Sequence, residues 1–370
     1  MSMSALTKGL LAAAVVTALA AVVHAQPQPL ASDPPAHPEQ APANTGANPY
    51  AVIGNWAKLT KENRPWGGSN GVAIDKDGVT VWATDRCSPG NVPGCMGSKG
   101  NPVHHFDASG NELISFGAGM FVWPHGVHVD RDGNVWVTDS RLPTAEDIAK
   151  FPDAAGKGSA VYKFSPQGKL LLTLGKPGVK GNPPEALTEP SDVVTDPANG
   201  DVYVAESHTD VLDPKLVGRI TVFDRTGKYL RTIGRTGQGP GKFRTPHALE
   251  FDSKGRLIVA DRHNHRIQVL TKQGQFVSEC LAFGRTSGLA IDKADNIYTT
   301  DSESTAKSHP GWLKGLRVGA LKDCKVSAFV PPHAWTIPEG AMGEGIAIDP
   351  AGNVYTAEAN LGGIWKYVTK

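Results

Sequence analysis

A chain of 370 residues suits one large domain or two ordinary ones, and a formal net charge of +1 gives no basis for electrostatic capture of nucleic acid or of an anionic membrane surface. The 42 glycines and 28 prolines favour a turn-rich β protein over a helical one. In chain order, the first element reads as a secretory signal over residues 1–25. Lys8 supplies the positive start, Leu10 to Val23 is an apolar run, and Val23-His24-Ala25 fits the small-residue cleavage rule, with Gln26 as the mature start. A membrane anchor is the competing reading, but a run of roughly 14 residues falls short of the ~20 that span a bilayer. No cysteine follows the run, so a lipid anchor of the bacterial lipoprotein kind is not expected. Residues 26–48 are rich in Pro, Ala and Gln without apolar periodicity, and read as a flexible tether. The expected product is periplasmic or secreted, with no membrane association after signal cleavage.

From residue 49 onward one pattern recurs. A short apolar strand ends in Asp, a tight turn follows, and a second strand ends in an acidic residue. The copies are GVAIDKDGVTVWATD from Gly71, GVHVDRDGNVWVTD from Gly126, DVVTDPANGDVYVAE from Asp192, ALEFDSKGRLIVAD from Ala248, GLAIDKADNIYTTD from Gly288 and GIAIDPAGNVYTAE from Gly345. Third strands such as RITVFDRTG and RIQVLTKQG follow, then fourth strands such as LLLTLG and YLRTIG. Each copy is a four-stranded antiparallel meander with Asp-Gly or Asn-Gly hairpin signals. A single such sheet cannot bury both faces, whereas six packed about an axis can. The expectation is therefore an all-β, six-bladed β-propeller. The last copy stops after GIWKYVTK and lacks a fourth strand, and NPYAVIGNWAKL precedes the first copy without a blade of its own. Residues near Tyr50 to Leu59 are expected to supply that outer strand and close the ring. An open solenoid would leave two bare edges, which proteins usually avoid. These repeats, with R-I-x-V-[FL] in the third strand, resemble the NHL family over nearly all of Tyr50 to Lys370.

The chain has four cysteines, Cys87, Cys95, Cys280 and Cys324, which allow three connectivities. Cys87 with Cys95 would close a short loop and Cys280 with Cys324 would tie later elements. Free thiols are the alternative.

The acids ending each second strand (Asp85, Asp139, Glu206, Asp261, Asp301, Glu358) recur in every copy, so they are expected to accept backbone N–H bonds in the following loops. The position just before each first strand varies instead: Asn70, His125, Ser191, His247, Ser287, Glu344. Alternate blades of a six-fold ring lie about 120° apart by symmetry, so His125, His247 and Glu344 can converge on the axis. Two imidazoles and a carboxylate suit catalytic zinc or non-haem iron with an open position for water or substrate. A turn with an exposed imidazole is the competing account of each Pro-His pair. On the same face stand Arg86 and Arg262, either of which can clamp a carboxylate or steady a developing anion, or pair with the repeated acids at the surface. His208 offers a general base or acid with an unperturbed pKa near 6.5. Long loops leave this rim at Arg86 to Pro102, Ser140 to Ser159, His208 to Val217 and Ser302 to Gly311, as expected of a binding site on a rigid scaffold.

Three segments, WPHGVHVDRDGNVWVTD from Trp123, EPSDVVTDPANGDVYVAE from Glu189 and TPHALEFDSKGRLIVADRHNHRIQVL from Thr245, resemble the peptidyl-α-hydroxyglycine α-amidating lyases. That resemblance implies a zinc propeller that cleaves a hydroxyglycine into an amide and glyoxylate. It implies that His125 and His247 are two of three zinc histidines, that Arg262 is the catalytic arginine, and that Arg86 binds the substrate carboxylate. The third zinc histidine matches Glu344, the catalytic tyrosine matches His208, and a calcium-binding Asp matches Gly345, although the carbonyls of Val72 and Val127 stay available. The expectation is a metal-dependent lyase-like or hydrolase-like monomer, acting on a small carboxylate- or carbonyl-bearing molecule or a peptide. Its metal is zinc, with iron or calcium as alternatives. A non-enzymatic propeller binding a partner through its loop rim, and a calcium-dependent lactonase using Glu344 and Asn70, are the other readings.

Overall fold

In the computed structural model, residues 40–61, 64–88, 93–208, 217–333 and 340–370 are described. The segment read above as a secretory signal and most of the one read as a tether lie outside them. Among the described residues, twenty-four strands form six four-stranded sheets, five of them built from consecutive strands. Every pairing within them is antiparallel, as in blade 4, where Pro246–Phe251, Leu257–Asp261, Arg266–Leu270 and Phe276–Cys280 follow one another outward.

The sixth sheet closes the ring as expected. Tyr50–Ile53 pairs with Ile364–Thr369, with Tyr50 opposite Thr369 and Ile53 opposite Lys366. The chain then crosses to the first blade: Trp56 N–H still donates to Ile364 O of the sixth sheet, while Lys58 N–H donates to Gly110 O of the first, both at 2.9 Å. Residues 40–48, read above as part of a tether, lie along the fifth blade. Asn44 Oδ1 accepts Leu313 N–H at 2.9 Å and the Arg317 guanidinium at 3.0 Å, and Ala47 O accepts Phe329 N–H at 3.0 Å.

The core sits between blades, because each sheet presents one apolar face to each neighbour. Trp82 of blade 1 packs with Val127, Val135 and Phe164 of blade 2, and Trp136 of blade 2 with Val193, Val202 and Phe223 of blade 3. The series ends with Val72, Val81 and Phe106 of blade 1 against Tyr355 and Ile364 of blade 6, sealed by Trp56. An open solenoid would leave this last apolar face in water.

The recurring acids hold the blades' shape. Asp139 accepts the N–H groups of Val122 and Trp123, Asp85 those of Gly67 and Cys87, and Asp261 that of Arg244. The accepted groups lie mostly in the loop before each inner strand rather than after the acid, so the acid ties the loop entering the blade to the strand leaving it. In blades 3 and 4 it also takes the third-strand arginine: Arg219 to Glu206 and Arg266 to Asp261, at 2.8 Å each. The acid closing the first strand caps an aromatic of the second, with Trp82 Nε1 to Asp75 at 2.7 Å and Trp136 Nε1 to Asp130 at 3.0 Å.

All four cysteines are paired, Cys87 with Cys95 and Cys280 with Cys324. The second bridge joins the outer strand of blade 4 to the turn after Gly315–Ala320 in blade 5, across 44 residues of chain. Cross-links of that span restrict the unfolded chain most. Replacing Cys280 and Cys324 together by Ser is expected to lower the unfolding free energy by about 2–4 kcal/mol in guanidinium titrations.

Candidate metal centre

Three short inner strands begin with proline, at Pro124, Pro190 and Pro246, where no ladder N–H is lost. Just after each proline the pairing slips, between Pro124 and Val127, Pro190 and Asp192, and Pro246 and Ala248. Such bulges re-aim a side chain, and these hold His125, Ser191 and His247. Glycine follows in several blades because neighbouring strands crowd the axis. A Cβ on Gly71 would lie 2.3 Å from His125 O, and one on Gly345 would lie 2.2 Å from Asn70 O. The second contact leaves no room for an Asp side chain at position 345, the place where the resemblance puts a calcium ligand. The inner strands together line an axial cavity of about 240 Å³, with Asn70, His125, Ser191, His247, Ser287 and Glu344 in its wall.

The structure brings His125, His247 and Glu344 to one point and adds His208. One ligand-type atom from each of the four lies within 4.8 Å of the others. His247 Nε2 is 3.0 Å from Glu344 Oε1, His125 Nε2 is 3.8 Å from the same oxygen, and His125 Nε2 is 3.1 Å from His208 Nε2. Metal–ligand bonds of about 2.0–2.2 Å place tetrahedral ligand atoms roughly 3–4 Å apart. The orientation of the rings is set from behind. His125 Nδ1 donates to Ser191 O at 2.6 Å and His247 Nδ1 to Ser287 O at 2.8 Å. Each Nε2 is therefore turned toward the axis, with the outer-shell bond of a metal-binding imidazole behind it. A divalent cation fits this donor set.

Burial, together with the charges of His247 and Arg86, brings His125 down to about 4 despite the opposing pull of Glu344. It is therefore neutral at physiological pH. The His208 imidazole is pushed well below the ordinary histidine range by burial and by His125, Arg262 and His247, so it is neutral but a weaker base than its ordinary value promised. Burial alone would raise the Glu344 carboxyl, yet the His125 and His247 imidazoles beside it hold it well below the usual carboxylate range.

Arg262 follows the repeated acid of blade 4 into a short 3₁₀ turn, Arg262–Asn264. Its guanidinium is buried and reaches Glu344 at 3.1 Å and Glu303 at 3.4 Å. Arg86 is also buried, its guanidinium 3.5 Å above the Trp123 ring. Burial lowers it to about 9, still charged at neutral pH, while Glu344 and Glu303 pull upward. The neighbouring acids, the alternative partners of the two arginines, have other cations beside them. Asp85 is taken by Arg64 at 2.7 Å and Asp261 by Arg266.

Four participants escaped the sequence reading. Trp123 lies under Arg86 and edge-on to His208 at 4.9 Å. Glu303 joins Arg262 to Arg285, the latter at 2.9 Å, and Arg285 in turn meets His263. Their only sequence signal was position: Trp123 stands two residues before a ring histidine, and Glu303 two after a recurring acid. The Cys87–Cys95 bridge ties the rim loop immediately after Arg86. The rim loop of blade 2 carries a helix, Ala145–Lys150, capped by Thr144 and Asp147. Most of the loop after His208 lies outside the described residues. No helix among the described residues is long and apolar enough to cross a membrane.

The NHL-repeat family model matches residues 243–270. Peptidyl-glycine α-amidating monooxygenase B of Xenopus laevis is 30% identical over 272 residues, covering 69% of this chain and 27% of that protein. Peptidyl-α-hydroxyglycine α-amidating lyase 2 of Drosophila melanogaster is 27% identical, covering 58% and 50% of the two chains. NHL repeat-containing protein 3 of Homo sapiens is 28% identical, covering 66% of each. The chain spans only 27%, 26% and 24% of the length of three amidating monooxygenases it matches. Among solved structures, a streptogramin B lyase superposes with a TM-score of 0.52 at 14% identity, covering 87% of this chain and 98% of the other. A putative gluconolactonase gives 0.52 at 12%, covering 85% and 94%. At such identities these two establish the shared propeller fold alone.

Proposed function

For an NHL-repeat six-bladed propeller with homologues named as peptidyl-α-hydroxyglycine α-amidating lyases, we propose the function of an exported, metal-dependent lyase that cleaves N-acylated α-hydroxyglycines. The observation that carries this reading is the convergence of four donor atoms from different blades within 4.8 Å, three of them on residues that line the axial cavity. His125, His247 and Glu344 would hold the divalent cation, zinc by donor chemistry, with His208 beside them. When bound, that cation would supply Lewis acidity toward a carbonyl or hydroxyl oxygen.

The chain's own groups divide the remaining work. Arg86, held over the Trp123 ring, binds the substrate carboxylate. Arg262, a rigid buried cation, steadies negative charge that develops on the hydroxyl oxygen. His208, neutral at physiological pH, accepts the hydroxyl proton. The hydroxyl oxygen then forms the aldehyde C=O, the C–N bond breaks with its electron pair going to nitrogen, and the proton held at His208 passes to that nitrogen. The products are a primary amide and glyoxylate. The substrate is a small molecule or peptide end reaching the rim of one protomer, with no nucleic acid involved. The N-terminal signal and two disulfides accord with export.

The test is elemental analysis of the purified mature chain, followed by incubation with N-benzoyl-α-hydroxyglycine. About one zinc per chain, glyoxylate and benzamide in equal amounts, loss of turnover with a chelator and its return with zinc are expected. Metal-free protein, or zinc-loaded protein that releases no glyoxylate, would sink the proposal.

A further inference from the structure

Of the six side chains in the ring around the axis, five are committed. His125 and His247 donate to the carbonyls of Ser191 and Ser287. Ser191 Oγ donates to Pro246 O at 2.9 Å, and Ser287 Oγ bonds Ser302 Oγ at 2.8 Å. Glu344 takes His247 and Arg262. Asn70 is the exception. It is 3% exposed and lines the axial cavity, and neither Oδ1 nor Nδ2 has a hydrogen-bond partner among the described residues. By the ring's pattern its partner would be the carbonyl of the next blade, His125 O, but that carbonyl takes Thr84 Oγ1 at 2.8 Å and no bond from the Asn70 amide. Burying an amide with neither its donor nor its acceptor met is strongly unfavourable, and such groups point to a missing partner.

We infer that Asn70 is a binding group for a primary carboxamide in the axial cavity. An amide side chain presents an N–H and a C=O on one edge, so its neutral complement must present an acceptor and a donor on one edge as well. A primary carboxamide does. A carboxylate has no donor, and a trans secondary amide turns its N–H away from its C=O. The inference rests on the proposed function for its meaning: cleavage of an N-acyl hydroxyglycine gives the departing nitrogen a second hydrogen and makes it a primary carboxamide. Asn70 therefore recognises the departing half after the C–N bond has broken, rather than the intact substrate.

The experiment is a ligand-observed NMR titration of wild type, Asn70→Leu and Asn70→Ser with acetamide, with N-methylacetamide as control. Thermal unfolding without ligand is recorded alongside. Acetamide is expected to bind wild type about tenfold more tightly than either variant, and more tightly than N-methylacetamide. The Leu variant is expected to unfold at the wild-type temperature or above, because an unmet polar group is gone. Equal acetamide binding by all three proteins, or none by wild type, overturns the inference. So does a fall of several degrees in both variants, which would make Asn70 a structural residue. Protein that binds acetamide through Asn70 yet releases no glyoxylate from N-benzoyl-α-hydroxyglycine keeps the inference and loses the lyase reading.

Discussion

The His247→Ala variant is expected to fold and to bind divalent metal at least ~100-fold more weakly than the wild type, with turnover falling in step. The substitution removes an inward-facing Nε2 that lies 3.0 Å from Glu344. It leaves the Glu344 carboxylate compensated by Arg262 at 3.1 Å, so no buried charge is stranded. The stability cost is then one lost hydrogen bond to Ser287 O and a small void, about 1–2 kcal/mol. Glu344→Ala differs in kind. It strips Arg262 of its nearer carboxylate and leaves Glu303 at 3.4 Å, so destabilisation of about 3–5 kcal/mol accompanies any loss of metal. Elemental analysis beside chemical denaturation separates the two. A His247→Ala protein that keeps its full metal content would show that the four donors do not form one site.

Arg262→Lys is expected to lower kcat on N-benzoyl-α-hydroxyglycine by about 10²–10³ while metal content and KM stay near wild type. Lysine keeps the charge that compensates Glu344, which protects the fold, but loses the planar fork and its fixed direction. Because the guanidinium is buried between Glu344 and Glu303, it cannot swing to serve a misplaced substrate. Glu303→Gln should show a smaller drop, with Arg262 still held by Glu344. If Arg262→Lys also sheds the metal, its work is to orient Glu344 rather than to stabilise charge on the substrate.

Much of the architecture was legible because a propeller writes its geometry into a repeat. Six copies of strand, Asp, turn and strand dictate six sheets, and an orphan strand before the first copy dictates how the last is completed. The observed pairing of Tyr50–Ile53 with Ile364–Thr369 follows from edge avoidance and needed no tertiary information. The recurring acids illustrate the limit of such reading. Their recurrence announced a structural task, but not that the loops they secure mostly precede the inner strand, since that depends on where the sheet folds the chain back on itself.

The candidate site divides along the same line. Its ring positions can be read by comparing copies, because symmetry alone sends alternate blades to a common axis, and His125, His247 and Glu344 do meet there. His208 belongs to the loop after a second strand, and its approach to within 3.1 Å of His125 depends on the path of that loop. Its pKa is likewise a property of burial and of three neighbours from other blades. Trp123 under Arg86, Glu303 between two arginines, and the unmet amide of Asn70 come from contacts between residues far apart in sequence.

The amino-acid order by itself determined the fold, the closure and the three ring positions, because these follow from periodicity and symmetry, which are local or repeated properties of the chain. Only the tertiary structure decided which buried polar atoms are brought to face one another. Desolvation and ångström-scale distances arise when separate blades pack, and no single blade contains them.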